Sequence, residues 1–213
     1  MGSHALRPKR LATATAALIV NMPSMSCSVP VSHQEHKKFN MKVEPGEYVQ
    51  MTCNPDITMI DIIPNLKGLE IGDIKVFSRL NCPVPVDPFA DLMKVMGVID
   101  VTKLQVLKFT QAQQSDTVLQ GYHFTNLSGL LQLDLPRNNI KSVDKTMFSE
   151  LKGLQSLDLT SNRGIQIEPH SLESLNQLED FTCHSCFLSN LHPDLFAGLV
   201  NLKRLSLHDN RLQ

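Results

Sequence analysis

Two cysteines three positions apart, Cys183 and Cys186 in the stretch FTCHSCF, have the spacing of a redox dithiol or of half a zinc site. A structural zinc needs four ligands, and no second pair with this spacing occurs in the chain, so neither chemistry is expected. The histidines, at positions 4, 33, 36, 123, 170, 184, 192 and 208, form no His-Glu-x-x-His pair and accompany no nucleophile elbow, and there is no glycine-rich phosphate loop. No catalytic residue, metal ligand or cofactor is assigned. The chain reads as a binding module and not as an enzyme.

The elements that hold these residues announce themselves by repetition. A frame seen most cleanly as Leu154, Leu157, Leu159 and Asn162 begins five times, at Leu104, Leu130, Leu154, Leu178 and Leu202. In LQSLDLTSN the apolar Leu157 and Leu159 alternate with Ser156, Asp158 and Thr160, the period of a half-buried strand. One turn cannot bury its own apolar face, so turns stack into a solenoid: a leucine-rich-repeat α/β fold with a parallel concave sheet and a convex side of loops and short helices. Cys183 falls on the position of Leu159 and Leu207, and Cys186 on that of Asn162 and Asn210; both are expected inside the solenoid as inert thiols. The asparagines Asn138, Asn162 and Asn210 are expected to satisfy backbone groups where the chain bends away from the strand. Val143, Phe148 and Leu151 recur as Ile167, Leu172 and Leu175, then as Leu191, Phe196 and Leu199, and fill the convex layer. Local distortion is expected at Gly164, which stands where an apolar residue belongs, and at Ala112, which stands at an asparagine site.

Strand residues that point out of the concave face form columns. One is Lys108, Asp134, Asp158, Thr182 and Ser206; its neighbours contain Asp180 and the pair His184 and His208. Asp134 beside Asp158, with Asp180 near, stacks like charges about 5 Å apart and suits a basic partner. His184 with His208 is a pair that acidification would charge. Lys108, Asp134, Asp158, Asp180 and His184 are the candidate ligand-binding residues. The net charge of −1, with Lys and Arg scattered, argues against nucleic acid.

Residues 1–26 read as a secretory signal. Arg7, Lys9 and Arg10 precede LATATAALIV, and Ser24 and Ser26 supply small residues before a cleavage site ahead of Cys27. This apolar run falls short of the ~20 residues a membrane span needs, and no later one is long enough. The chain is expected to be secreted. Residues 27–103 form an N-terminal cap and 104–213 the repeats, the last broken off within its frame. In the cap, Phe39, Met41 and Val43 alternate, Glu44-Pro45-Gly46-Glu47 suits a type II turn, and Val49, Met51 and Cys53 alternate on the return: a hairpin. LEIGDIKVF reads as a degenerate strand extending the sheet. A short helix follows, with Asp87 as N-cap, Pro88 first, Phe89, Leu92, Met93 and Met96 on one face, and Gly97 closing it. Cys27 and Cys53 flank the hairpin and are the preferred disulfide; Cys82 is left over, free to pair with either or to stay buried. Asn126 in NLS is a glycosylation acceptor on the outer half of its repeat.

FNMKVEPGEYVQMTCN followed by LEIGDIKVFSRLNCPVPVDPFADLMKVMGV resembles the amino-terminal cap of insect Toll receptors, with the repeats following in the expected order. Cys53 and Cys82 fall where that cap has cysteines, and Cys27 matches a third. The resemblance implies the ligand-facing end of an extracellular innate-immune or developmental receptor. Its ligand would be a dimeric cystine-knot cytokine of the Spätzle type, held by the cap and the first repeats on the concave side. It also implies that a full-length receptor carries more repeats, a membrane anchor and an intracellular signalling domain, and dimerises on ligand. These are expected to be missing from this polypeptide. A secreted leucine-rich-repeat matrix or decoy protein is the alternative.

Overall fold

The computed structural model describes residues 27–28, 39–111 and 119–213, with only the backbone described for Cys27, Ser28 and Gln111. The expected signal segment and Ala112 lie outside the described residues.

Nine strands form one sheet in the order β1-β2-β3-β4-β5-β6-β8-β10-β11. β1 is Cys27–Ser28, β2 Phe39–Glu44 and β3 Tyr48–Cys53. Strand β1 pairs antiparallel with β2, and β2 antiparallel with β3 through the turn at Gly46, whose φ of 77 favours glycine. The expected hairpin is therefore present. From β3 onward every pairing is parallel: β4 Val76–Cys82, β5 Val106–Gln111, β6 Gln132–Asp134, β8 Ser156–Asp158, β10 Asp180–Thr182 and β11 Arg204–Ser206. On the outer side β7 Ser142–Val143 pairs with β9 Gln166–Ile167.

The repeat is fixed by a backbone device at the start of each parallel strand. One carbonyl accepts two successive N–H groups from the next turn: Gln105 O from Leu131 and Gln132, Leu131 O from Gln155 and Ser156, Gln155 O from Glu179 and Asp180, and Glu179 O from Lys203 and Arg204, all at 2.8–3.0 Å. The same fork occurs at Glu47 O, with Lys75 and Val76, and at Lys75 O, with Gln105 and Val106. The ladder thus starts inside the cap, two steps before the leucine frame becomes readable. The strand expected within LEIGDIKVF begins only at its last two residues and continues through SRLNC; the earlier part follows α1, Met59–Leu66, a helix containing Pro64.

In-register Leu107, Leu133, Leu157 and Phe181 are each 0% exposed, and with the convex-side Val143, Phe148, Leu151, Leu172 and Leu175 they build one continuous apolar core. Helix α2, Phe89–Val95, buries Phe89, Leu92 and Met93 as expected, but Pro88 is its N-cap and no side chain caps it, so Asp87 does not play that part. Gly97 closes the helix at φ 80 and is held there by space: a Cβ would lie 2.1 Å from Leu69 O.

The asparagines do what their spacing implied. Asn162 Nδ2 donates to Leu135 O and Leu159 O at 2.9 and 2.7 Å, and its Oδ1 accepts from Asn138 N and Ile140 N at 2.9 and 3.1 Å. Asn210 repeats this with Cys183 O and Leu207 O, and with Cys186 N and Leu188 N. The distortion expected at Gly164 follows from the gap in this series. Cys186 has no amide to offer, so Gly164 N–H bonds to the Cys186 backbone carbonyl at 2.8 Å, and Ile165 takes over the buried place at 4% exposure.

Two cysteine expectations are corrected. Cys53 is bonded to Cys82, not to Cys27, because β3 and β4 are parallel neighbours that bring residues 53 and 82 to the same end, Cα atoms 4.9 Å apart. Cys183 and Cys186 are both 0% exposed as expected, but they are joined as a disulfide and are not free thiols. That bond spans the same two positions, three apart, that the Asn162 amide bridges to Leu159 O and the Asn210 amide to Leu207 O.

Candidate functional site

Alternation along each short strand sends one set of side chains into the core and leaves the other on the concave face. Lys108, Asp134 and Asp158 lie side by side in register on β5, β6 and β8, and Thr182 continues the row on β10. Asp180 stands one column over, in register with Ser156 and Arg204, and His184 lies beyond the end of β10. The five candidate residues therefore share a face without converging on one point.

The electrostatics of the row differ from a bare acidic stack. Lys108 Nζ lies 3.0 Å from Asp134 Oδ2, and Gln132 Nε2 donates to both Asp134 oxygens at 3.0 Å. Asp180 is ion-paired with Arg204, which raises the Arg204 pKa above its ordinary value through their hydrogen bond. Asp158 remains. Its Oδ1 accepts the Thr160 N–H at 2.8 Å, and no cation reaches it among the described residues. Lys108 and Arg204 thus offset part of the repulsion expected along the columns, leaving the uncompensated charge at Asp158.

At the far end of β10 and β11 the rings of His184 and His208 stack with centroids 4.5 Å apart and planes 13° from parallel. Asp209 joins them, all three offering ligand atoms within 4.8 Å of one another. The sequence reading paired the histidines but missed Asp209. Its signal is positional: Arg137, Ser161, Ser185 and Asp209, each one before the asparagine site, all have positive φ, so the chain reverses there and swings the side chain back toward the column.

Asn126, the sequon asparagine, is exposed, with φ 63, and its N–H donates to Glu150 Oε2 at 3.3 Å on the outer half of the repeat, away from the concave rows. A convex-side cleft is lined in part by Tyr122, Lys141, Asp144, Met147 and Glu150. Two further titratable groups are buried near the cap. His123 accepts the Gln120 N–H on Nδ1 at 2.9 Å and approaches Pro85 O with Nε2 at 3.1 Å, and burial pushes its pKa down. Arg79, 0% exposed, lies 5.4 Å from the Phe109 ring and 6.0 Å from that of Phe89, and burial pushes its guanidinium down to about 9, still cationic at neutral pH.

A family model for the leucine rich repeat matches residues 114–163 and 128–185. A chain of the solved Toll–Spatzle complex, described as a hub in Drosophila development and innate immunity, superimposes on 92% of this chain and 30% of its own length, with a TM-score of 0.64 and 21% identity. The chain has a leucine-rich-repeat fold, shared with a chain of that complex. Among curated proteins it is similar to Protein toll of Drosophila melanogaster, 24% identical over 62% of this chain, and to Toll-like receptor 5 of Homo sapiens, 31% identical over 53% of it. Both likenesses span 12% of the relative's own length. No helix among the described residues is long and apolar enough to cross a membrane.

Proposed function

We propose that this chain is the amino-terminal, ligand-binding part of a Toll-type receptor ectodomain, working outside the cell or at its surface on a Spätzle-like cystine-knot cytokine. The cap hairpin and the row Lys108, Asp134 and Asp158, with Asp180 and His184 beside it, form the contact face. The observation that carries this reading is the uncompensated carboxylate of Asp158 at the middle of a half-exposed polar row, on a sheet unbroken from the cap to β11. A basic ligand surface would pair with it, and such complementarity governs encounter and register more than raw affinity. The Cys53–Cys82 disulfide supports an oxidising compartment. A glycan on Asn126 would leave the contact face open, and within a longer, membrane-anchored receptor ligand binding would bring two ectodomains together.

The test is binding of a purified Spätzle-type dimer to the immobilised chain at low salt. Asp134→Lys combined with Asp158→Lys is expected to weaken binding at least tenfold, with Asn126→Gln unchanged. Equal affinity in the charge-reversed variant would remove the acidic row from the interface. No binding by the unaltered chain would remove this ligand class.

A further inference from the structure

We infer that His184, His208 and Asp209 form a binding site for a zinc-class divalent transition ion at the end of the concave sheet. The site shares His184 with the edge of the proposed cytokine contact, but zinc binding is tested on the chain alone and does not depend on that reading.

The geometry is imposed by the ladder. Cys183 N donates to Ser206 O at 2.9 Å and Ser185 N to His208 O at 3.2 Å, which locks the two histidines into adjacent positions of parallel turns. Their stacked rings are then held from behind. Ser206 Oγ lies 2.9 Å from His208 Nδ1, and Ser185 Oγ lies 3.4 Å from His184 Nδ1. When each Nδ1–H donates to its serine, each Nε2 carries a free lone pair, and neither Nε2 has a protein partner among the described residues. A hydrogen bond on the far nitrogen is the arrangement that orients metal-ligating histidines elsewhere. Asp209 completes the set from the reversing turn, where its φ is 57 and where its carboxylate has no ion pair or hydrogen bond among the described residues.

The donor types choose the ion. Two imidazoles and one carboxylate suit zinc and its neighbours, whereas calcium and magnesium require shells built of oxygen. A tetrahedral zinc with bonds of about 2.0–2.1 Å places its donors about 3.4 Å apart, so atoms now within 4.8 Å close by at most about 1.5 Å. His208 and Asp209 are exposed, which leaves their side chains room for this adjustment. Three protein ligands leave the fourth position open to water or to a side chain arriving on the concave face.

A second group of similar composition supplies the control. His170 and His192 lie 3.9 and 3.6 Å from Asp194 on the convex side, but His192 Nδ1 already accepts the Asp194 N–H at 3.2 Å. The experiment is titration of the full chain, stripped with a chelator, with zinc chloride by calorimetry, and with cobalt(II) by visible absorption. One equivalent of zinc and the absorption bands of four-coordinate cobalt are expected. His184→Ala, His208→Ala and Asp209→Ala should each lower zinc affinity at least tenfold with unchanged far-UV circular dichroism, while His170→Ala with His192→Ala leaves it within twofold. No zinc binding at about 100 µM, equal affinity in the first three variants, loss in the convex-side variant, or calcium binding as tightly as zinc would each overturn the assignment.

Discussion

Replacing Asn162 with alanine tests the claim that the amide ladder, and not the leucines alone, holds the turns together. The side chain is 0% exposed and makes four hydrogen bonds, at 2.7, 2.9, 2.9 and 3.1 Å, to backbone groups of two repeats. An unsatisfied buried donor or acceptor costs about 1–3 kcal/mol, and relaxation of neighbouring turns recovers part of it. Four such groups place the loss at about 3–5 kcal/mol, well above the roughly 1 kcal/mol of an average substitution. At about 2–4 °C per kcal/mol for a chain of this size, the midpoint should fall by roughly 6–20 °C. Asn162→Asp sharpens the test, since it keeps the acceptor for Asn138 N and Ile140 N but turns an oxygen toward the carbonyls of Leu135 and Leu159. It should be at least as damaging as alanine at neutral pH. Urea unfolding followed by far-UV circular dichroism is the assay. A loss below about 1 kcal/mol for Asn162→Ala, or a milder effect for Asn162→Asp, would refute the reasoning.

Restoring the missing rung should be tolerated. Cys183→Leu with Cys186→Asn is expected to unfold within about 1.5 kcal/mol of the parent and to lose its sensitivity to reductant, because a short disulfide loop worth about 2 kcal/mol is exchanged for amide hydrogen bonds; the double alanine variant should lose more than this in the same melt. Cys82→Ser opens the link between β3 and β4 across 29 residues, and a loss of about 3–4 kcal/mol in urea unfolding is expected. Since burial lowers the His123 pKa, the unfolded chain takes up a proton before the folded one as pH falls below ~6.5; stability should be level above that pH and decline below it, and His123→Gln should flatten this part of the pH profile. Arg79→Met removes a buried cation whose Nε and Nη1 have no partner among the described residues, so chemical denaturation should show stability unchanged or raised by up to about 4 kcal/mol.

The solenoid was readable because the leucines and asparagines meet the same environment in every turn, so position in the frame stands for position in space. That equivalence placed Cys183 and Cys186 inside, yet it concealed their bond. An asparagine three residues after a leucine bridges to that residue's carbonyl, and two sulfurs at the same spots come within bonding reach. The cap was less legible. Its ladder steps are longer and its leucines irregular, so the strand in LEIGDIKVF was placed too early, and with it the end of β4 where Cys82 meets Cys53. The concave columns emerged in correct register, but their charge balance did not, since Lys108 and Arg204 reach sideways to acids one turn away. Asp209 was hidden for another reason: a left-handed turn residue carries no hydrophobic period.

The two-pronged corner carbonyls have a consequence for how such a chain can change length. They fall at residues 47, 75, 105, 131, 155 and 179, so the spacing between forks varies while the fork itself does not. Both partners of each fork are fixed, and the strand that follows is fixed with them. Every added or deleted residue must therefore be taken up on the outer arc between one strand's end and the next corner. The inner surface is in effect a ruled page of constant line spacing, and the outer arc is a margin of adjustable width where loops, sequons or grafted peptides can be inserted without rewriting the lines.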